Sequence, residues 1–314
     1  MKSRNASYKR ILAISIFFAL ALTGCQGSSK EEVEVEVDKT SSTSLRDNTP
    51  VCLVPKKSGT DILGTDELCI DAGNSSEGYL YLTYSGENED VKLQISCDGG
   101  TTYTHKIKTG DMVIPLTQGD GCYEIIAYEG MGNGQYSIMY TGKTDVLLVN
   151  EYNSYLYPNY YVNFTEDSEA VSIGKEEAAD CTCDLEVIAA VYQYVVDNIE
   201  YDHEEAETVA SDYVPDVDEV LETGKGICYD YASLMAAMLR SQRIPTRLEV
   251  GYAGDAYHAW VTTYVEDIGW INGVIQFDGA DWTLMDPTFA ANADAKTLKD
   301  FLGDGNNYTT KYIY

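Results

Sequence analysis

The chain has 314 residues, a hydrophobic content of 44% and a formal net charge of −30 at pH 7. This length is typical of an export segment followed by about two globular domains, and the composition excludes a fibrous or wholly disordered protein. So large an acidic excess repels phosphate backbones, and we therefore expect no nucleic-acid partner.

The first 24 residues have the pattern of an export signal. Residues 1–10 are basic, and residues 11–22 form an apolar run of twelve, which is too short to span a bilayer. The run ends in Leu22-Thr23-Gly24-Cys25, which resembles the lipobox of bacterial lipoproteins. The resemblance implies that residues 1–24 are a lipoprotein signal peptide and that lipidated Cys25 anchors the protein at the cell surface, on the outer face of the cytoplasmic membrane.

Residues 25–50 are rich in Ser, Thr and acidic residues and contain no candidate core. This composition predicts a flexible acidic tether. Residues 32–37 alternate Glu with Val, which is also the period of a strand, but an isolated strand with a uniformly acidic face is unfavourable.

Residues 51–165 predict an all-β domain. Five strand-like runs are separated by turns rich in Gly, Asn and Asp: residues 79–84, 91–96, 112–116, 123–128 and 136–140. Short strands at this spacing favour a sandwich. The many tyrosines fit strand positions, with a sugar-binding or protein-binding face as the alternative. We interpret His105 in this domain as a surface or structural residue.

Residues 166–314 predict an α+β domain. Apolar residues from Leu185 to Ile199 recur at helical spacing, with Asp184 as the expected cap. A shorter helix is expected from Val217 to Glu222, capped by Asp216 and stopped by Gly224.

Cys228 begins a third predicted helix, which continues until shortly before Pro245. The unpaired N–H groups and the positive dipole end of a helix N-terminus favour a thiolate, as a sulfur nucleophile requires. The alternative is a buried structural cysteine.

Two predicted strands follow, over residues 246–252 and 257–265, and alternation places His258 and Trp260 on one face of the second. A further strand ends at Asp286. A helix-borne thiol with a His and an Asp on strands is the arrangement of an activated cysteine, in which the His takes the proton and the Asp orients the His.

Several motifs occur in one order: GKGICYDYA at 224–232, LR at 239–240, IPT at 244–246, YHAW at 257–260 and MDPT at 285–288. Together they resemble the bacterial transglutaminase-like superfamily, which has a papain-like fold, and residues 199–202 resemble its upstream motif. The resemblance implies that Cys228 is acylated by a peptide, amide or isopeptide, that His258 protonates the leaving amine, and that Asp286 holds His258.

By the same resemblance, the acyl group passes to water, as in a peptidase or amidase, or to an amine, as in a transglutaminase. The backbone N–H of Cys228 is expected to be one oxyanion donor. Tyr201 or Trp260 is a candidate second donor or a wall of the substrate channel, with core packing as the alternative for both. The expected partner is a protein or peptide substrate, including cell-wall peptide.

No cofactor and no metal site are expected, because the chain has three His and no Cys-x-x-Cys pair. The six cysteines other than Cys25 and Cys228 allow fifteen disulfide connectivities. Cys52 with Cys69 and Cys97 with Cys122 are the first pairs to examine. The competing function is a non-catalytic surface binding or assembly module that retains the fold. In a third interpretation the β-domain carries the main function, and the thiol domain processes or anchors a partner bound to it.

Overall fold

The computed structural model describes residues 46–210, 212–266, 268–272, 274–277, 282–285 and 308–314. The predicted signal peptide, Cys25, most of the tether and Asp286 lie outside these residues. These residues belong to one compact unit that contains two hydrophobic cores. Within the described part of the chain, none of the helices has the length and apolar character needed to cross a membrane.

Two four-stranded antiparallel sheets build the N-terminal region around one of these cores. The strands are β1 (Ile62–Gly64), β2 (Leu68–Asp71), β3 (Tyr79–Tyr84), β4 (Val91–Cys97), β5 (Tyr103–Ile107), β6 (Gly110–Pro115), β7 (Gly121–Gly132) and β8 (Gln135–Val146). One sheet has the order β1-β2-β3-β6 and the other β5-β4-β7-β8. Alternate residues such as Leu80 and Leu82 of β3 and Leu93 and Ile95 of β4 fill the space between them, because successive side chains of a strand point to opposite faces.

The five predicted strand runs correspond to β3, β4, β6, β7 and β8, so the expectation of a sandwich-like β region is confirmed. The sequence pattern did not predict strands β1, β2 and β5. The first two are three and four residues long, which is too short to show a period. In β5 the buried alternate position is His105, which breaks the apolar pattern.

Five helices precede or lead into the second sheet: α1 (Glu169–Ala178), α2 (Asp184–Asn198), α3 (His203–Thr208), α4 (Val217–Thr223) and α5 (Cys228–Ser241). The long helix α2 is confirmed, but its predicted cap is wrong. Cys183 is the extended N-cap residue, and Asp184 lies in the first turn, where its carboxylate pairs with Arg46 at 2.6 Å. The expectation for α4 is confirmed, since Asp216 accepts from the N–H groups of Asp218 and Glu219.

Helix α5 is the centre of the second core, and all of its residues from Asp230 to Ser241 are buried. It packs against helices α1, α2 and α4 and against strands of the second sheet. At Gly174 of α1 an added Cβ would lie 3.2 Å from the carbonyl oxygen of Met238, so the glycine allows α1 to lie close against α5.

The strands that follow are β9 (Glu200–Tyr201), β10 (Lys225–Gly226), β11 (Thr246–Ala253), β12 (Ala256–Val265), β13 (Gly269–Asn272), β14 (Val274–Phe277), β15 (Trp282–Met285) and β16 (Tyr308–Ile313). The main sheet is antiparallel with the order β13-β12-β11-β16. Strands β14 and β15 pair with each other, and the two-residue strands β9 and β10 pair in parallel.

A cluster of aromatic side chains joins the two regions. Tyr161 stacks on Tyr314 with ring centroids 3.8 Å apart, and Tyr103 of β5 meets Tyr314 edge-on at 5.9 Å. His105 is buried beside them and hydrogen bonded to the Tyr161 hydroxyl. Burial lowers the pKa of His105 to about 3, so its ring is neutral at physiological pH. His105 is therefore a structural residue.

The described end of the predicted tether is bound to the second region. The side-chain amide of Asn48 donates to the carbonyl oxygens of Ala178 and Cys181 at 2.6 and 2.9 Å. The N–H of Val51 donates to the carbonyl of Ser241 at 2.8 Å. The chain from Arg46 onward is thus fixed near the C-terminal end of α5.

Candidate active site

The chain reaches Cys228 through a tight and well-bonded turn. Gly224 ends α4 with a φ of 64°, a left-handed conformation that favours glycine. The carbonyls of Gly224 and Gly226 then accept from the N–H groups of Glu200 and Asp202 at 2.8 and 2.9 Å. These bonds hold the segment that delivers Cys228 to the start of α5.

Cys228 is the first residue of α5, after the extended N-cap residue Ile227. Its side chain is partly buried and packs against the second core. The N–H groups of a first helical turn have no partner within the helix and carry the positive end of its dipole. The predicted location of the thiol at a helix N-terminus is confirmed.

Asp230, two residues further on, fixes this first turn. It is fully buried, and its Oδ2 accepts from the N–H of Ile227 at 2.7 Å while its Oδ1 accepts from the hydroxyl of Tyr213 at 2.7 Å. Burial raises the pKa of Asp230 to about 6, although both hydrogen bonds oppose the shift. An added Cβ on Gly226 would lie 2.6 Å from the Asp230 Cβ, so this turn requires the glycine.

His258 lies on β12, which pairs with β11 and packs with it against α5. A helix of 14 residues such as α5 is about 20 Å long. After a short turn β11 runs back along it, and Gly251 lies about 17 Å from Thr246, the first residue of that strand. His258 is the cross-strand partner of Gly251. The backbone of His258 therefore lies about 17 Å along the sheet from the start of β11.

The register also gives the two faces of β12. Ala259 and Val261 pack in the same core as α5, whereas His258 and Trp260 share the alternate face, as the alternation predicted. His258 is 8% exposed. His258 is therefore a nearly buried residue on the face of β12 opposite to the one that packs on α5.

Tyr257 is a neighbour of Cys228 that the sequence reading missed. Its pKa is raised chiefly by burial, with the charge of Cys228 as a further cause. The ring is nonetheless 57% exposed and meets Tyr252 edge-on at 5.5 Å. Its position next to His258 was the available signal, together with the alternation that places it on the α5 side of β12.

The two candidate channel residues occupy different places. Tyr201 of β9 is paired with Gly226, two residues before Cys228, and its ring lies 4.9 Å from that of His203. Trp260 is buried on β12, with its ring 4.9 Å from that of Tyr308. Tyr201 is therefore placed beside the chain that leads to the thiol, whereas the indole of Trp260 packs against the sheet.

The predicted acid Asp286 follows β15 and lies outside the described residues. Strand β15 pairs with β14, and the neighbour of β12 in the described sheet is β13. The strand that the sequence predicts before Asp286 is therefore not a neighbour of β12 in the described sheet. The short turn between Val265 and Gly269 makes β13 the hairpin partner of β12 instead, because a short connection favours antiparallel pairing of consecutive strands.

The described cysteines, seven in number, are all free thiols. Burial is the first cause that raises the pKa of the Cys52, Cys97 and Cys181 thiols. Among the described residues, no group of three or more His, Cys, Asp or Glu side chains is arranged to hold a metal ion.

Residues 172–273 match the family model described as the Transglutaminase-like superfamily. This segment includes α2, the Cys228 turn, α5 and the strands β11 and β12, so the chain contains a transglutaminase-like domain at residues 172–273. The superfamily match supports a thiol enzyme as the general class. Among curated proteins, no relative matches the chain.

Three solved structures are similar to parts of this chain at low identity. A candidate cysteine protease from Cytophaga hutchinsonii is 14% identical, with 81% of this chain and 74% of that chain covered and a TM-score of 0.38. The periplasmic domain of TgpA from Pseudomonas aeruginosa is 15% identical, with 78% and 80% covered and a TM-score of 0.34. Red sea bream transglutaminase is 15% identical, with a TM-score of 0.29; 69% of this chain is covered, and the chain spans 48% of that protein.

Proposed function

We propose that this protein is a surface-anchored thiol enzyme in which Cys228 is the nucleophile, His258 its base and Asp286 the residue that orients His258. The observation that carries the proposal is the position of Cys228 as the first residue of a buried helix, against which the His258-bearing strand β12 packs. The transglutaminase-like match over residues 172–273 supports the same class of chemistry.

In the proposed reaction the Cys228 thiolate attacks the carbonyl carbon of a peptide, amide or isopeptide. The negative charge on the carbonyl oxygen is stabilised by the N–H of Cys228, with Tyr201 or Trp260 as the candidate for a second contact. The C–N bond then breaks, the amine leaves with a proton from the His258 imidazolium, and a thioester remains on Cys228.

The thioester reacts next with water or with an amine. Attack by water releases a carboxylic acid and makes the protein a peptidase or amidase. Attack by a lysine-type amine forms a new amide and makes it a transamidase. The proposed substrate is a protein or peptide outside the cytoplasm, including cell-wall peptide, because lipidated Cys25 would keep the domain at the membrane surface.

Alkylation by iodoacetamide at pH 7 tests the nucleophile. We expect Cys228 to react at least about tenfold faster in the folded protein than in the urea-unfolded chain, since a helix N-terminus and a neighbouring imidazole favour the thiolate. Cys228→Ala should remove this fast phase and His258→Gln should slow it, whereas the buried thiol Cys97 should stay slow in both. If native Cys228 reacts no faster than in the unfolded chain, the protein is the non-catalytic module.

Anchoring is tested separately by expressing the full chain and Cys25→Ser in a bacterium that is fed labelled palmitate. The expected result is label and membrane association for the wild-type chain and neither for the variant. Equal partitioning of both into the membrane fraction would contradict lipidation at Cys25 and leave the enzymatic proposal intact.

A further inference from the structure

Two backbone N–H groups at the start of α5, those of Ile227 and Cys228, differ in where they point. The carbonyl of Ile227 accepts from the N–H groups of Asp230 and Tyr231 at 2.9 and 3.1 Å, so it points along the helix. The N–H of Cys228 belongs to the same planar trans peptide and therefore points the opposite way, out of the helix N-terminus. It is the N–H nearest to the thiol that is oriented toward an incoming carbonyl oxygen.

The preceding N–H, that of Ile227, is taken by the Oδ2 of Asp230 at 2.7 Å. This bond orients the peptide before Ile227, while the bonds to the Ile227 carbonyl orient the peptide after it. Both peptides that flank Ile227 are thus fixed, and with them the direction of the Cys228 N–H.

The other oxygen of the same carboxylate is held by the hydroxyl of Tyr213 at 2.7 Å. Tyr213 comes from the segment between α3 and α4, so a part of the chain outside α5 locks the carboxylate. With both oxygens engaged and the side chain fully buried, Asp230 does not turn to accept the Cys228 N–H itself. The glycine at position 226 leaves the space that this arrangement needs.

We infer that Asp230, locked by Tyr213, is a positioning residue that directs the Cys228 N–H at the oxygen of the substrate carbonyl. The inference rests on the proposed function and adds to it the residues that build the oxyanion site. Asp230 touches neither the substrate nor the thiol in this scheme; it acts through the peptide of Ile227.

Two reagents separate this role from a purely structural one. In alkylation by iodoacetamide, sulfur displaces iodide at a saturated carbon and no oxyanion forms. In acylation by p-nitrophenyl acetate, the thiolate attacks the ester carbonyl, an oxyanion develops, and p-nitrophenolate leaves as the acetyl thioester forms. Loss of an oxyanion donor therefore slows the second reaction and spares the first.

We expect Asp230→Ala to lower the ratio of acylation to alkylation rate constants at Cys228 at least about tenfold, since removing one donor outright costs about 100-fold or more. Tyr213→Phe should lower it about threefold. Asp230→Asn should retain most of the ratio, because its amide oxygen still accepts from Ile227. Tyr231→Phe is the matched control: it removes a buried α5 hydroxyl that donates to the Ile199 carbonyl and should leave the ratio unchanged.

Equal loss of both reactions in Asp230→Ala and Tyr213→Phe, with the fold checked by circular dichroism, would show a structural role only and overturn the inference. An unchanged ratio in both variants, or a loss in Asp230→Asn equal to that in Asp230→Ala, would also overturn it. If the wild-type protein is alkylated fast but is not acylated, Cys228 has no oxyanion site and the inference is overturned. If alkylation of the wild-type protein is slow, the proposed function itself is refuted.

Discussion

Arg240 tests how the C-terminal end of the Cys228 helix is held. Its guanidinium is fully buried and donates four hydrogen bonds to main-chain oxygens: two to Thr246 at 2.9 and 2.8 Å, one to Tyr157 at 3.0 Å and one to Tyr314 at 2.8 Å. Burial lowers the pKa of Arg240 to about 9. One side chain thus joins α5 to β11, to the segment between the two regions and to the residue that follows β16.

The substitution Arg240→Lys keeps the charge and the aliphatic part of the side chain but removes the planar guanidinium group with its fixed N–H donors. A single ammonium group does not reach all three oxygens in the guanidinium geometry. The Tyr314 oxygen keeps its bond from the Leu248 N–H at 2.9 Å, which leaves the Thr246 and Tyr157 oxygens as the groups at risk. An unsatisfied buried carbonyl costs about 1–3 kcal/mol, so we expect a loss of about 2–4 kcal/mol in the free energy of unfolding.

The assay is equilibrium urea unfolding with an unchanged m-value, which shows that the midpoint shift reports stability. The matched control is Arg243→Lys, because Arg243 is 38% exposed and pairs with Asp47 at 3.4 Å. An exposed pair of this kind contributes about 0–1 kcal/mol, and the control should change little. A loss below about 1 kcal/mol in Arg240→Lys would refute the reasoning that the guanidinium group satisfies these carbonyls.

Three further outcomes follow. Burial raises the folded-state pKa of Asp230 to about 6, so the folded protein binds this proton more tightly than the unfolded chain. Relative to Asp230→Asn, the free energy of unfolding of the wild type should rise by up to about 3 kcal/mol as pH falls from 7 to 4, measured by urea unfolding. No rise would contradict burial as the cause. Gly226→Ala should lower the free energy of unfolding by about 1–3 kcal/mol in thermal or urea unfolding, because the added Cβ would overlap that of Asp230. Unchanged stability would show that the turn can accommodate a Cβ at this position. His105 should show constant imidazole NMR shifts between pH 8 and 5, since burial holds its pKa at about 3; a titration near 6.5 would show that it is solvated.

Local patterns predict much of the candidate site. The helical period after Cys228, the cap at Asp216, the glycine stop at position 224 and the alternation around His258 each involve residues within a few positions of one another. Such signals depend on backbone geometry that repeats every two or 3.6 residues. They therefore indicate the elements, and their order, before any long-range contact is known.

The partners of those elements could not be predicted in the same way. Asp230 was readable as a first-turn carboxylate, but nothing in the spacing indicated that Tyr213, seventeen residues away, would bind it. Likewise β13 and not β15 lies beside β12, and His105 is buried against Tyr161 from a different region. These contacts depend on which distant segments share a core.

Cys228 combines both kinds of information. The sequence by itself determined that the thiol begins a helix and that a His and an Asp follow on later segments, because helix starts and strand alternation are local properties of the chain. Only the tertiary structure decided that β11 and β12 pack against α5, and that Tyr213 locks the carboxylate of the first turn. Those arrangements arise from burying one continuous core around α5, and the free energy of that burial belongs to the assembled fold and to no single segment.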